Sequence, residues 1–319
     1  MESASNVRGA ALALLAMGIY ATHDVVIKVL GAQYPALQVL FFSSLLSFPL
    51  VMLTIMRDPT PGTLRPANPG WVALRTVSGV VAGMGSFLAF SQLPLAQVYA
   101  ILFSAPLLVT ILSIPVLGER VGPHRWAAVV IGLLGVLIVL RPGVQTLGWG
   151  HLAALASALA SSGTAVILRK LGRSERPLVL LMWPMLGNFL ATGASLAFHY
   201  RPMELPHLAL AGVIACLGLM AGLLMILAYR AGEAVIVAPM QYSQILWATA
   251  YGWIFFGEVL DPPTFLGATV IIASGIYIVW REGQSGNSAN RPVIASRIGA
   301  ETVTAPRTTL LQRIWPPRP

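Results

Sequence analysis

The stretch GERVGPHRW, Gly118–Trp126, decides the fold, because it returns in altered form as GEVLDPPTF at Gly257–Phe265. The two copies lie 139 positions apart, and the same displacement matches Thr110 with Thr249. A chain that matches itself at a fixed displacement contains an internal structural repeat. The composition then decides what kind of unit is repeated.

The composition predicts a lipid environment for both copies. Of the 319 residues, 56% are hydrophobic and only 10% are charged, whereas soluble domains carry about 25% charged residues. A helix that crosses a bilayer needs roughly 20 mostly apolar residues. Ten segments meet that need: 10–30, 36–56, 71–92, 95–117, 124–140, 149–170, 178–199, 207–229, 234–256 and 263–280. We therefore expect an all-α integral membrane protein with ten transmembrane helices.

The repeat divides these helices into two groups of five. We expect a first repeat over residues 8–143, a second over 148–282, and a polar, basic, disordered cytoplasmic tail over 283–319. A unit with an odd number of spans inserts upside down the second time. The charges agree, since Arg120 and Arg125 of the first copy become Val259 and Thr264 in the second. Inverted repeats of this kind are typical of secondary transporters.

Basic residues predict the orientation in the membrane. With ten spans and the N-terminus inside, only Lys28, Arg141 and Arg201 of the 20 Lys and Arg residues face outward. Cytoplasmic loops are enriched in Lys and Arg, so both termini are predicted to be cytoplasmic. The net charge of +9 lies in short gaps between apolar segments, which argues against nucleic-acid binding.

The repeat matches two glycines and one glutamate between the halves, and these residues suggest structural roles. Gly79 and Gly83 form a G-x-x-x-G spacing that Gly218 and Gly222 repeat, and this spacing permits close helix packing inside the bundle or across a dimer face. The chain is thus expected to be a monomer or a homodimer. Glu119 and Glu258 stand in equivalent places, where each is expected to cap the helix that follows.

The most polar part of the first helix is GIYATHDVVIKVL, Gly18–Leu30. Tyr20, Asp24 and Lys28 are four positions apart and share one face, with His23 beside them. In one interpretation Asp24 and Lys28 neutralise each other and brace the helix. In the other they face a cavity and bind substrate or carry a coupling proton, since charges inside membranes are usually functional.

The second half keeps only part of this pattern. KVLG at Lys28–Gly31 resembles RKLG at Arg169–Gly172, which aligns Lys28 with Arg169 but Asp24 with Ala165. The acid is present in one half only, as expected for substrate or ion chemistry rather than shared scaffolding.

Further candidates lie in helices 3, 4, 8 and 9. Phe90 matches Tyr229 and Phe103 matches Tyr242, so these aromatic residues either wall a cavity from both sides or pack the bundle. Amides need partners at membrane depth, which favours a cavity-facing position for Gln241 or Gln244. Other candidates are Tyr99, Ser104 and Trp247. Pro106, Pro115 and Pro239 are expected to interrupt helices 4 and 9.

The run from Leu93 to Gly143, and within it LGERVG, RW and GLLGVLIVLRPG, resembles the EamA domain of the drug/metabolite transporter superfamily. The resemblance spans roughly residues 8 to 282 and implies a ten-helix, two-repeat carrier of a small metabolite in a bacterial-type inner membrane. HDVVIKVLGAQYPALQVLFF is similar to a branch with S-adenosylmethionine carriers. Those relatives often place an Arg after FF, where this chain has Ser43 and Ser44.

The predicted function is secondary active transport of an amino acid, nucleoside, S-adenosylmethionine or vitamin-like metabolite. Protons or a counter-substrate are the expected coupling partners. A channel or uncoupled facilitator is the alternative, and a membrane enzyme is less favoured, because motifs such as H-E-x-x-H, G-x-S-x-G and the P-loop are missing from the sequence. No catalytic residue, metal site or cofactor is predicted.

Overall fold

The computed structural model describes residues 2–56, 64–119, 121–143, 146–171, 174–175, 177–232 and 234–284. Within these residues the chain is helical throughout its long segments, as the composition predicts. The elements are α1 (Glu2–Gly31), α2 (Ala36–Met56), α3 (Pro69–Gln92), α4 (Leu95–Leu102), α5 (Ala105–Leu117), α6 (Pro123–Leu140), α7 (Trp149–Leu171), α8 (Pro177–His199), α9 (Leu205–Ala231), α10 (Ala234–Val237), a 3-10 helix (Ala238–Ser243), α11 (Gln244–Phe256) and α12 (Pro262–Gln284). The predicted tail lies outside the described residues from position 285 onward, as does Arg120.

Several of these helices suit a bilayer. Six described segments are long and apolar enough to cross a membrane: Val7–Gly31, Pro69–Gln92, Leu95–Leu117, Pro123–Leu140, Trp149–Leu171 and Leu205–Ala231. Two shorter apolar helices are Ala36–Pro49 and Pro262–Ile278. Their outward surfaces carry large apolar side chains, which a lipid environment accepts without cost.

Two of the predicted helices are broken rather than continuous. The segment 95–117 divides into α4 and α5 at Phe103 and Ser104, and the segment 234–256 contains a 3-10 turn that begins beside Pro239. Pro106 has no N–H group for the preceding turn, and the Ser104 hydroxyl donates to the Ile101 carbonyl at 2.7 Å. The matching Ser243 donates to Met240 at 2.6 Å. The prediction was wrong for Pro115, which lies inside α5 without interrupting it.

The packing follows a reciprocal pattern. The most extensive helix contacts join α3 to α7 and α1 to α9. In the sequence repeat, α1 corresponds to α7 and α3 corresponds to α9, so these two contacts are equivalent. The repeat likewise makes the contact of α3 with α8 equivalent to that of α2 with α9. α6 and α12 correspond to each other in the repeat, and they also contact each other. Each half therefore packs mainly against the other half.

Gly79 and Gly83 of α3 contact neighbouring helices at ordinary distances. A Cβ atom at either residue would meet its nearest neighbour at 3.7 Å, on Pro184 of α8 or Leu40 of α2. A role of the G-x-x-x-G pairs in close helix packing stays a prediction. Gly218 and Gly222 are buried in α9. One tight backbone contact is between α6 and α12, where a Cβ at Gly267 would lie 2.6 Å from the Gly135 carbonyl oxygen.

Replacing Gly267 with alanine is expected to destabilise the protein. The added methyl group meets the Gly135 backbone, which cannot rotate away, and overpacking of this kind typically costs about 1–3 kcal/mol. Thermal unfolding of the purified protein in detergent measures the change. The matched control is Gly79→Ala, which has room for the methyl group and gains helix propensity. Equal melting temperatures for the two variants would contradict the assigned contact.

Candidate functional site

Asp24 forms the centre of a buried polar network. Its carboxylate is 2.7 Å from Nδ1 of His23 and accepts a hydrogen bond from the Tyr99 hydroxyl. The Gln244 amide donates to that same hydroxyl at 3.1 Å. Asp24, His23 and Tyr99 are only 6%, 8% and 3% exposed. The network joins α1 and α4 of the first half to the start of α11 in the second.

Aromatic rings cover His23 on two sides. Tyr20 lies one turn before Asp24 on α1, and its ring meets the His23 imidazole edge-on at 6.5 Å between centroids. Phe87 of α3 makes a similar contact at 6.4 Å. The imidazole is thus held by packing as well as by the carboxylate, and sequence patterns gave no signal for Phe87.

A second group of rings surrounds Tyr99. Phe90 of α3 lies 5.4 Å from the Tyr99 ring and Phe103 lies 6.0 Å from it. Phe103 also meets Tyr242 at 5.1 Å. Phe103 and Tyr242 are the residues that the repeat matches, so the two halves meet here through equivalent side chains.

The remaining second-half candidates extend this centre. The Gln241 amide donates to the Tyr229 hydroxyl at 3.0 Å. The Tyr242 hydroxyl packs on Gly275 of α12, where a Cβ atom would be 2.1 Å away. This hydroxyl is buried without a hydrogen-bond partner among the described residues, so a polar group remains available at the edge of the aromatic cluster.

Lys28 does not pair with Asp24, so the interpretation of a mutual brace is wrong. The Lys28 ammonium lies 2.5 Å from Glu258 Oε1 and donates to the Leu93 carbonyl. Glu258 Oε2 also accepts the backbone N–H of Leu95 at 2.9 Å. Lys28 and Glu258 therefore tie α1 to the start of α4 and the end of α11.

Glu119 makes the equivalent pair at the other end of the bundle. Arg169 Nη2 lies 2.5 Å from Glu119 Oε1. Leu95–Leu117 contains 23 residues, which at about 1.5 Å per residue separates the two pairs by roughly 35 Å. We call the two regions the Lys28 end and the Arg169 end.

The same turn positions both glutamates. Gly118 and Gly257 end their helices in the left-handed region, with φ of 71° and 64°, a conformation that costs glycine nothing. The residue after each glycine is then turned back toward its own helix. The expected capping of the next helix is not seen, since Gly122 precedes α6 and no side chain caps that helix, and Glu258 accepts the backbone N–H of Leu95 in α4.

A small pocket, with room for about one water molecule, opens beside Glu258. Its walls come from α4, α11 and the turn before α12, and include Gln97, Thr249 and Asp261. The pocket lies at the Lys28 end and does not reach the Asp24 centre. Among the described residues, the Lys28 end thus has a small opening, while Asp24, His23 and Tyr99 are buried.

Two sequence candidates lie apart from the polar network. The Ser104 hydroxyl donates to the Ile101 carbonyl at the break between α4 and α5. Trp247 packs against Gly18 of α1, with 3.3 Å between the ring and a Cβ position there, and against Tyr251.

The Asp24 centre combines several kinds of chemical group. It offers one carboxylate, one imidazole, hydroxyl and amide groups, and several ring faces, all at the boundary between the halves. In the described part of the chain, no group of three or more His, Cys, Asp or Glu side chains is arranged to hold a metal ion.

Comparison with known proteins identifies the family of the chain. The sequence signature of the EamA-like transporter family matches residues 7–141 and 148–281. The chain is 30% identical to a riboflavin transporter of Rhizobium johnstonii over 214 residues, which cover 66% of this chain and 71% of that protein. It is 26% identical to the pseudopaline exporter CntI of Pseudomonas aeruginosa over 277 residues, 85% of this chain and 95% of that one.

A third relative is an S-adenosylmethionine uptake transporter of Rickettsia bellii, 25% identical over 270 residues, which cover 84% of this chain and 92% of the relative. A protein of known crystal structure, 18% identical, superposes with a TM-score of 0.55 over 88% of this chain and 99% of that one, and so shares its fold. The resemblance noted in the sequence is confirmed: the chain belongs to the EamA-like transporter family of multi-pass membrane proteins.

Proposed function

We propose that this protein is a secondary carrier that moves a small metabolite by alternating access between two inverted five-helix repeats. We take α4 with α5, and α10 with the 3-10 helix and α11, as one broken span each, which gives the proposed ten membrane-spanning segments. In such carriers the substrate lies near the midplane where the repeats meet. The Asp24 centre occupies the boundary between the halves and is the proposed binding site.

The observation that carries the proposal is the crossed pair of salt bridges. Lys28 of the first half binds Glu258 of the second, while Arg169 of the second half binds Glu119 of the first. The repeat exchanges one bridge for the other, and they lie at opposite ends of the bundle. Opening either end requires its own bridge to break, which gives the two ends equivalent and opposed closures.

The orientation follows from the charge distribution. We assign the Lys28 end to the outer face of a bacterial inner membrane and the Arg169 end, with both termini, to the cytoplasm. Arg125, Arg169 and Lys170 then face inward and Asp261 faces outward, as the positive-inside rule requires. Arg141 at the outer face is paired with Asp261.

The relatives support a small organic substrate, since they are named for riboflavin, pseudopaline and S-adenosylmethionine. A channel is the alternative. The buried, closed centre favours a carrier over an open pore, because channel conduction needs a continuous path. Coupling to a proton or to a counter-substrate would act through the Asp24 centre.

Transport by Asp24→Asn tests the binding site. Asparagine keeps the shape of the side chain and removes the negative charge, so we expect at least a tenfold loss of saturable uptake. The measurement uses liposomes and labelled amino acids, nucleosides, S-adenosylmethionine and riboflavin, across a range of pH. Glu204→Gln is the control, because that side chain is 76% exposed at the Lys28 end. If Asp24→Asn transports at the wild-type rate with the wild-type pH profile, Asp24 is not part of the binding site. If the unmodified protein shows no saturable transport, the carrier proposal is contradicted.

Opposite effects of the two bridges test alternating access. A cysteine at Thr249, in a Cys216→Ser background, reports opening at the Lys28 end because Thr249 lines the pocket there. Glu258→Gln is expected to speed its reaction with a maleimide about tenfold, since losing one partner of a largely buried ion pair is costly. Glu119→Gln is expected to slow the same reaction by favouring opening at the far end.

The double replacement Lys28→Glu with Glu258→Lys restores an ion pair with the two charges swapped. The rate of reaction with maleimide should then return toward that of the protein that carries only the Thr249→Cys and Cys216→Ser changes. Faster reaction in both Glu258→Gln and Glu119→Gln would indicate general loosening of the bundle. That result would count against reciprocal closure, whatever the substrate.

A further inference from the structure

We infer that Asn188 of α8, together with Ser44 of α2, forms a second binding subsite, and that it takes a neutral N–H donor such as the amide or imide group of a small organic molecule. The inference rests on the proposed function and adds one functional group of the substrate to it. It follows from a buried amide oxygen without a partner and from the room that a glycine leaves beside that oxygen.

The side-chain amide of Asn188 is buried, and only half of it is used. Asn188 is 2% exposed, and its Nδ2 donates to the Ser44 hydroxyl at 3.0 Å. Its Oδ1 has no hydrogen-bond partner among the described residues. Asn188 is the middle residue of α8, Pro177–His199, where a bilayer offers no water to satisfy an amide. A donor that reaches Oδ1 is therefore bound with a gain in free energy.

The neighbouring hydroxyl groups are used inside their own helices. Thr192 donates to the backbone carbonyl of Asn188 at 2.6 Å, and Ser47 donates to the backbone carbonyl of Ser44 at 2.7 Å. Bonds of this kind let a short polar side chain satisfy itself within a helix. The Asn188 oxygen has no such local carbonyl partner to donate to it, so its donor has to come from elsewhere.

Gly83 of α3 leaves space beside the free oxygen. A Cβ atom at Gly83 would lie 3.8 Å from Asn188 Oδ1 and 3.7 Å from a methyl group of Leu40, both ordinary contact distances. A glycine lets a ligand approach where a larger residue would fill the space. Gly83 belongs to the G-x-x-x-G pair of α3, and room for a ligand is a second use for this spacing besides helix packing.

The subsite lies on the boundary between the halves, close to the Asp24 centre. Asn188 belongs to the second half, whereas Ser44 and Gly83 belong to the first. Gly83 is one turn, roughly 6 Å, from Phe87 along α3, and the Phe87 ring contacts His23. A substrate with two functional groups can therefore reach both places when the halves separate.

The surroundings favour a neutral donor. The polar side chains that contact Asn188 are the hydroxyls of Ser44 and Thr192, which carry no charge. An ammonium group bound here would have no countercharge and would lose its hydration, which is costly. A carboxylate or phosphate would bring a negative charge against an oxygen that is itself an acceptor. An amide or imide N–H satisfies the oxygen without either cost.

The experiment compares matched probes that differ in one N–H group, with binding to the full chain in detergent measured by isothermal titration calorimetry. The pairs are riboflavin with 3-methylriboflavin, uridine with 3-methyluridine, and nicotinamide with N,N-dimethylnicotinamide. We expect the unmethylated member to bind at least about tenfold more tightly in one or more pairs, because methylation leaves a buried acceptor unpaired. Equal affinities within every pair, or no binding of any unmethylated probe, overturns the inference.

Asn188→Leu separates a ligand-binding amide from a structural one. Leucine has a similar shape and removes the unpaired oxygen, so the melting temperature without ligand should not fall. The preference for the unmethylated probe should shrink to less than about twofold, since the acceptor is gone. A structural amide gives the opposite result, a lower melting temperature with the preference intact, and that result overturns the inference.

Gly83→Ala tests the same oxygen without replacing a polar group, and it decides the matter if Asn188→Leu does not fold. Its methyl group fits beside Asn188 Oδ1, where it obstructs a ligand, so the preference should fall several-fold. The matched control is Gly79→Ala, one turn away on α3, whose methyl group meets Pro184 at 3.7 Å instead. Equal preferences in the two alanine variants would overturn the inference.

The outcome is independent of the test of the carrier mechanism. Saturable transport with equal rates for both members of every pair would leave a carrier in place and remove the subsite. Failure of the opposite effects of Glu258→Gln and Glu119→Gln would remove the reciprocal closures and leave binding at Asn188 intact.

Discussion

The ion pair between Lys28 and Glu258, with its counterpart between Arg169 and Glu119, is the interaction on which the arrangement of the bundle depends. A charge in a low-dielectric interior needs a partner with good geometry, and here each partner is supplied by the opposite half. Neither half satisfies its own charges at these positions. The need to neutralise them therefore fixes how the halves face each other at both ends.

Between those ends lies the carboxylate of Asp24, which makes the two halves chemically different. Asp24 has no acidic equivalent, because Ala165 stands at the matching position. Its hydrogen bonds run to His23 beside it and across to Tyr99, whose hydroxyl is also bound by Gln244 of the second half. The centre is thus shared between the halves, although its charge comes from one of them.

The sequence predicted the helical segments well because long apolar runs and Pro-Gly connections are local signals. It did not predict where α4 and the 3-10 helix end, since Pro115 has the same local character as Pro106 but lies within an unbroken helix. The partner of Lys28 also escaped prediction. Spacing along α1 placed Asp24 nearest, whereas Glu258 is far along the chain. Yet Lys28 and Glu258 both have repeat-matched equivalents, and that shared property was a usable signal for their pairing.

The contrast between matched and unmatched charges separates two tasks. Residues that occur in both halves form equivalent contacts at opposite ends, so neither end is favoured by its chemistry alone. An acid that occurs once remains with the first half in every arrangement of the two. Under the proposed alternating access, a ligand bound at Asp24 would keep the same partner while the ends exchange roles, because the ion pairs at the ends are duplicated and the carboxylate of Asp24 is not.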